Sequence, residues 1–246
     1  ARKHLDPTTT LTTSTLLSGD NRTLFLDAEG DLLLGAGESE ETEVSGRAGL
    51  QTLADKTAAA LTSRGITSVT LNWRGTLFEG DSHLPAWDAQ EVGGYEGHVG
   101  PMAIDAGRTA PGAYAFHEDA PGYVAQVFAK ALTSSGVAVK LGTDGKAPAG
   151  GETLASVSSA TMGEQLRWML AHSDNTLADQ YCRLAAGAAG QPTTYAGAIA
   201  TIKADLLQAG IPTSGMILED CSGLSTNDKP RAHTLVGVLK AAHGAR

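Results

Sequence analysis

Aromatic residues are scarce in this 246-residue chain, at 5%, and cysteines scarcer still, with only Cys182 and Cys221. Two cysteines so far apart exclude a disulfide-built scaffold and a Cys-x-x-Cys metal or redox site. They leave two readings open, one bridge in an oxidising compartment or two buried thiols. No apolar run approaches the roughly 20 residues of a membrane span, and the start, Ala1 to Asp6, has no signal-peptide core. The seven His show no His-Glu-x-x-His spacing, and Gly35-Ala-Gly37 lacks the third glycine of a dinucleotide fingerprint. No metal site and no cofactor is therefore expected. A net charge of -9 argues against nucleic acid and against an anionic membrane surface as partners.

What is present is an ordinary folded composition, 41% hydrophobic and 18% charged, with 30 Gly marking many turns. Thr/Leu-rich runs over 11–17 and 22–27 flank Ser18-Gly-Asp-Asn21 and predict a hairpin, with a third strand at Leu32–Leu34. The acidic run from Glu38 to Glu43 reads as a solvated loop in preference to a metal cluster. Leu50, Leu53, Ala54, Ala58 and Leu61 recur at helical spacing, with Ser45 near the start and Gly65 as the stop. Val69, Leu71 and Trp73 alternate as in a half-buried strand. Residues 73–101 are Gly/Pro/acid-rich without a period and read as irregular surface before a short strand. A second helix opens at Asp119 and Pro121 and stops at Gly136, and 137–141 is a strand.

Gly142 to Gly151 reads as a linker, and beyond it helices dominate. Thr161 and Glu164 have capping-box spacing, ahead of a helix with Met162, Leu166, Met169 and Leu170 on one face. Helices are expected over about 176–186, 194–209 and 230–242, with a short strand at 216–218. A domain boundary falls near 150: an α/β unit first, a mainly helical unit second. The first residues read as the end of a helix.

Between two of these helices lies Ser173-Asp174-Asn175. Ser, Asp and Asn are the preferred helix N-caps, so a corner needs no chemistry to explain it. Ser-Asp-Asn is also the middle of three motifs in penicillin-interacting serine enzymes, the others being Ser-x-x-Lys and Lys-Thr-Gly. Neither of those is here. No Lys has a Ser three residues before it, and Lys56-Thr57 is followed by Ala58 inside a predicted helix.

The run Ser173-Asp-Asn-Thr-Leu-Ala-Asp-Gln180, together with Asp220-Cys-Ser-Gly-Leu-Ser225, resembles the D-alanyl-D-alanine carboxypeptidases that carry a large insertion between their first two motifs, peptidase family S13. Gly30 to Ser39 and Tyr95 to Arg108 are similar to stretches of that insertion. The resemblance implies an α/β fold: the mainly helical part of a penicillin-binding, β-lactamase-like transpeptidase domain plus an inserted mixed α+β domain. Residues 1–12 would end a helix of the penicillin-binding domain, 13–150 would be the insertion, and 151–246 the helical part.

It implies a serine-type carboxypeptidase/endopeptidase acting on peptidoglycan stem peptides outside the cytoplasm, with β-lactams as ligands of the full-length form. Ser173 would relay a proton between the Lys of the first motif and the leaving amine, and Asn175 would present its amide to the substrate backbone. Asp174 would point inward and fix the corner. Ser222 and Thr226 are further candidates for substrate contact. Thr226 stands where the family often has an Arg that meets the acidic end of the stem-peptide side chain, with Arg231 the only nearby substitute. Cys221 replaces a family Gly, and a bond to Cys182 would pin the floor of the site. By family order the nucleophile lies before residue 1 and the third motif after 246, so the chain is expected to be an internal piece that penicillin does not acylate. Two rivals remain: a non-catalytic peptidoglycan-binding or scaffold module of the same fold, and a thiol enzyme using Cys221 with His172 or His233.

Overall fold

A computed structural model describes residues 4–244. Two strands open it, β1 (Thr12–Leu17) and β2 (Thr23–Ala28), paired antiparallel across a turn in which Asn21 takes a left-handed φ of 57°. β4 (Ser68–Arg74) joins β2 in parallel, and β6 (Ala138–Gly145) joins β4 in parallel. β7 (Glu152–Ser158) closes the other edge, antiparallel to β1, so the five-stranded order is β6-β4-β2-β1-β7. Parallel neighbours need crossovers. Those are α1 (Leu50–Thr62), before β4, and α3 (Ala120–Ser134), before β6.

Both helices lie on one face of the sheet. Leu24, Leu26, Leu71 and Val157 from the strands meet Leu53, Leu61, Val124, Phe128 and Leu132 from the helices, all buried in one apolar core. The other face of β6 and β7 is largely exposed.

A second core joins this unit to the helices that follow. β3 (Asp31–Leu34) pairs in parallel with β5 (Met102–Ile104). Leu32, Leu33 and Ala103 of this pair pack against Met162 of α4 (Met162–His172) and Leu177 and Tyr181 of α5 (Asn175–Ala188). The capping box at α4 is formed: Glu164 Oε2 accepts from the Thr161 backbone N–H at 2.9 Å, and Thr161 Oγ1 accepts from that of Glu164. α6 (Tyr195–Gln208) and α7 (Ala232–Gly244) complete the chain. Between β4 and β5 a short helix, α2 (Pro85–Ala89), carries Trp87.

Several expectations change. Residues 142–145 extend β6 and 152–158 form an unforeseen strand, so the expected linker and the boundary at 150 fall inside one sheet, which ends at Ser158. The polar, Thr/Ser-rich run of β7 has little apolar signal because only Ala155 and Val157 are buried in the core, with Leu154 half-buried against it. Residues 4–11 make turns and coil instead of a helix end, with Asp6 accepting from Thr8 N, while 1–3 lie outside the described residues. Gly49, not Ser45, occupies the N-cap of α1. At 216–218 a single bridge from Ile217 to Lys229 replaces the expected strand. The run 38–43 is a loop, exposed except for Ser39, which is half-buried.

Candidate active site

α4 and α5 meet at one residue. Ser173 is the C-cap of α4 in the left-handed conformation, φ 52° and ψ 47°, which turns the chain enough for α5 to start two residues later. That conformation costs a non-glycine residue roughly 1–2 kcal/mol, offset by what surrounds it. Asp174 is the N-cap of α5, and its Oδ1 accepts from Leu177 N at 2.9 Å. Its other oxygen lies 2.8 Å from Arg108 Nη2, off the hydrogen-bonding direction, so charge alone holds that contact. Asp105, Ala106 and Gly107 all have positive φ and bring Arg108 under the corner. Asp174 is buried while Ser173 is exposed, with its hydroxyl unbonded among the described residues. The capping explanation and the motif explanation therefore fall on different residues: Asp174 caps, and Ser173 faces outward.

α5 then grips a strip of the first unit at successive points. Asn175 Nδ2 donates to the Tyr95 carbonyl at 3.2 Å, Thr176 Oγ1 accepts from Gly97 N at 2.8 Å, and Gln180 Oε1 accepts from Gly100 N at 3.1 Å. Gln180 Nε2 also donates to the carbonyls of Gly30 and Gly100, at 2.9 and 2.8 Å. Gly30 sits at φ 113°, and a Cβ there would come 2.8 Å from Gln180 Nε2, so the close approach requires glycine.

The second wall is the turn from Asp220 to Ser225. Buried Asp220 accepts from the Trp87 indole N–H at 2.8 Å and from the backbone N–H of Gly223 and Ser225, both at 2.7 Å. Cys221 N donates to Asp179 Oδ1 at 2.9 Å, and Ser222 Oγ donates to Glu96 Oε2 at 3.2 Å. Cys182 and Cys221 form a disulfide with Cα atoms 6.5 Å apart. Tyr95 and Glu96 are consecutive, so one peptide unit links Asn175 to the 220–225 turn.

Burial raises the pKa of several of these groups. Glu96 is pushed well above the ordinary carboxyl range by desolvation, then by the charge of Asp179. Desolvation likewise carries Asp179 to about 6. Arg183 is fully buried, stacked on Phe78 and Tyr195, and donates to the carbonyls of Thr193, Asp81 and Glu79.

Other expectations meet this geometry directly. Cys221 carries no thiol, and His172 stacks on Trp168 with centroids 4.0 Å apart, which removes the thiol-enzyme pairing. Asp179, Cys182 and Cys221 are the group with metal-ligand proximity among the described residues, and its sulfurs are bonded to each other. Arg231 donates to the Gly215 carbonyl at 2.9 Å and so does not stand in at Thr226, whose N–H donates to Gln90 Oε1 at 2.7 Å. Sequence reasoning missed Trp87 and Glu96 because they sit in the segment without a period. Their signal, a lone Trp and a Glu among glycines, is shared with any surface loop.

The sequence profile of the D-Ala-D-Ala carboxypeptidase 3 (S13) family matches residues 115–245, more than half of the chain. The chain belongs to that family. It is 34% identical to carboxypeptidase DacB of Mycolicibacterium smegmatis over 90% of its length, and 33% identical to carboxypeptidase Rv3627c of Mycobacterium tuberculosis over 73%. These alignments cover 48% and 39% of the relatives, so the chain spans about half or less of the curated relatives it matches. The crystal structure of penicillin binding protein 4 (dacB) from Haemophilus influenzae aligns over 97% of the chain and 66% of its own length, with a TM-score of 0.71 at 16% identity. The same protein complexed with a β-lactam aligns with a TM-score of 0.67. At that identity the likeness concerns the fold, an α/β architecture in agreement with the expected class.

Proposed function

We propose that this chain forms one wall of the active site of a serine-type D-Ala-D-Ala carboxypeptidase/endopeptidase, a hydrolase acting on peptidoglycan stem peptides through an acyl-enzyme. The observation that carries the reading is the corner: Ser173 exposes its hydroxyl one residue from the buried cap, beside an Asn175 side chain anchored by one hydrogen bond. The second Asn175 amide hydrogen and its Oδ1 have no partner among the described residues, and a peptide backbone needs that donor and acceptor pair.

In the reaction, a serine hydroxyl from a Ser-x-x-Lys motif outside these 246 residues attacks the carbonyl between the two D-Ala residues. Its proton passes to the motif lysine. Ser173 hands a proton from that lysine to the departing D-Ala amine, and water then hydrolyses the ester. Asn175 holds the substrate backbone and the lysine, and a Lys-Thr-Gly strand borders the oxyanion. A β-lactam acylates the same serine. Ser222 is turned inward to Glu96, which leaves exposed Thr226 as the side chain of that turn facing substrate. A neutral hydroxyl there favours a stem-peptide side chain without a free acidic end. The disulfide fits an extracytoplasmic location, in the periplasmic space, in the cell wall or secreted.

Fluorescent penicillin tests the reading. Purified 1–246 should form no covalent adduct, while a longer form with both other motifs should be labelled, and Ser173→Ala in it should slow labelling by ~10²-fold or more. A stoichiometric adduct on 1–246 overturns it.

A further inference from the structure

The carboxyl groups between the two walls are more numerous than the corner needs. Glu96 and Asp179 are 1% and 0% exposed and lie within hydrogen-bonding reach of each other. Each has one oxygen satisfied, Glu96 Oε2 by Ser222 and Asp179 Oδ1 by Cys221 N. Each also has one buried oxygen, Glu96 Oε1 and Asp179 Oδ2, without a hydrogen-bond partner among the described residues, although the Ser222 hydroxyl that bonds Glu96 also lies near Asp179. Two orphan acceptors in contact are costly as two anions and satisfied as a carboxyl–carboxylate pair.

Resting on the reading of Asn175 as a substrate-facing amide, we propose that Glu96 and Asp179 share one proton, which fixes the Tyr95–Glu96 peptide so that the Tyr95 carbonyl orients Asn175. Glu96 is thus a positioning residue: it acts on substrate only through Tyr95 and Asn175.

The surroundings assign the proton. Asp220 has both oxygens bonded by three N–H donors, and its charge disfavours a second one on either partner. Arg183 of α5 lies on the Asp179 side and attracts negative charge there, which leaves the proton on Glu96. Tyr195 of α6 stays a neutral phenol, its pKa raised by burial. Asp228, across the turn, is itself shifted upward, to about 6, chiefly by burial. On its open side Glu96 lines a cavity of 420 Å³ with His83, Asp88, His98 and Glu118. The His98 pKa is lowered by burial, which disfavours a cation on this ring. The two cysteines do not titrate. When pH rises far enough to remove the shared proton, Glu96 and Asp179 repel, and the peptide that orients Asn175 is released.

Carboxyl ¹³C and side-chain amide ¹⁵N NMR on the intact chain between pH 5 and 9 test this. The expected result is one of the two carboxyls still protonated at pH 7, and an Asn175 amide resonance that moves with the loss of that proton. In Glu96→Gln, whose amide N–H replaces the proton as donor, the Asn175 resonance should keep its acidic position throughout. Asp179→Asn should do the same with the donor on the other side, which covers a failure of either variant to fold. Glu96→Ala should show the alkaline position at every pH. Two ordinary carboxylates at pH 7, or an Asn175 resonance in Glu96→Gln that follows pH as in the wild type, overturns the proposal. The readout involves neither penicillin nor hydrolysis, so its failure leaves the assignment of the wall standing, and the converse holds too.

Discussion

The sheet core and the seam between the walls are both buried, yet they are held by opposite chemistry. Between the sheet and α1 and α3 the contacts are Leu, Val, Phe and Ala, non-directional and tolerant of small shifts. Between residues 95–101 and α5 they are amide, hydroxyl and carboxyl groups whose strength depends on angle and, for Glu96 and Asp179, on protonation. The first kind of contact sets how much stability the chain has. The second sets where Asn175 points, and the proposed role of its amide demands placement to within a fraction of an ångström.

This contrast can be broken or sharpened by substitution. Phe128→Ala, in the middle of the apolar core and 0% exposed, should cost about 3–5 kcal/mol in denaturant unfolding. It should leave amide exchange at Gly97 and Gly100 as it was relative to global stability. Gln180→Ala should cost less, about 1–3 kcal/mol, because it strands the Gly30 and Gly100 carbonyls and the Gly100 N–H. Its exchange signature should be local, with Gly97 and Gly100 opening well before the sheet. If Phe128→Ala loosens the strip as much as Gln180→Ala does, the division into two regimes is wrong.

A third test is a change of pH. Asp31, raised to about 7 by burial, joins Asp179 and Asp228 at about 6 and Glu96 above its ordinary range. Each folded pKa lies above its unfolded value, so the folded state binds more protons and stability falls as pH rises from about 4 through 7. The slope is at most about 1.4 kcal/mol per pH unit for each proton. Melting temperatures measured at mildly acid and at neutral pH should be higher at the acid end. A flat or rising profile would mean these carboxyls are hydrated and not buried as described.

The same contrast decides what could be read in advance. Leu50 to Leu61 and Val69 to Trp73 declare themselves because an apolar face imposes a period, and the Thr161–Glu164 cap because its two residues pair locally. β7 stayed hidden because its partner β1 lies 140 residues away and its exposed face is polar. Ser173 and Asn175 stood out through resemblance to a motif, and the corner they form between two helices was legible with them. The contacts of Tyr95, Glu96 and Gln180 were not, because hydrogen bonds across 80 or more residues leave no trace in local spacing, and neither does the ion pair of Arg108 with Asp174. A polar seam is specified by geometry, which only the folded chain possesses.

Trp87 has an optical consequence. Its indole is wholly buried, edge-on to His83 and Tyr195, and tethers Asp220 at the base of the second wall. Any event that parts the two walls wets that ring, so its ultraviolet emission reddens in step with the opening. The protein carries an intrinsic fluorophore at the base of its candidate site.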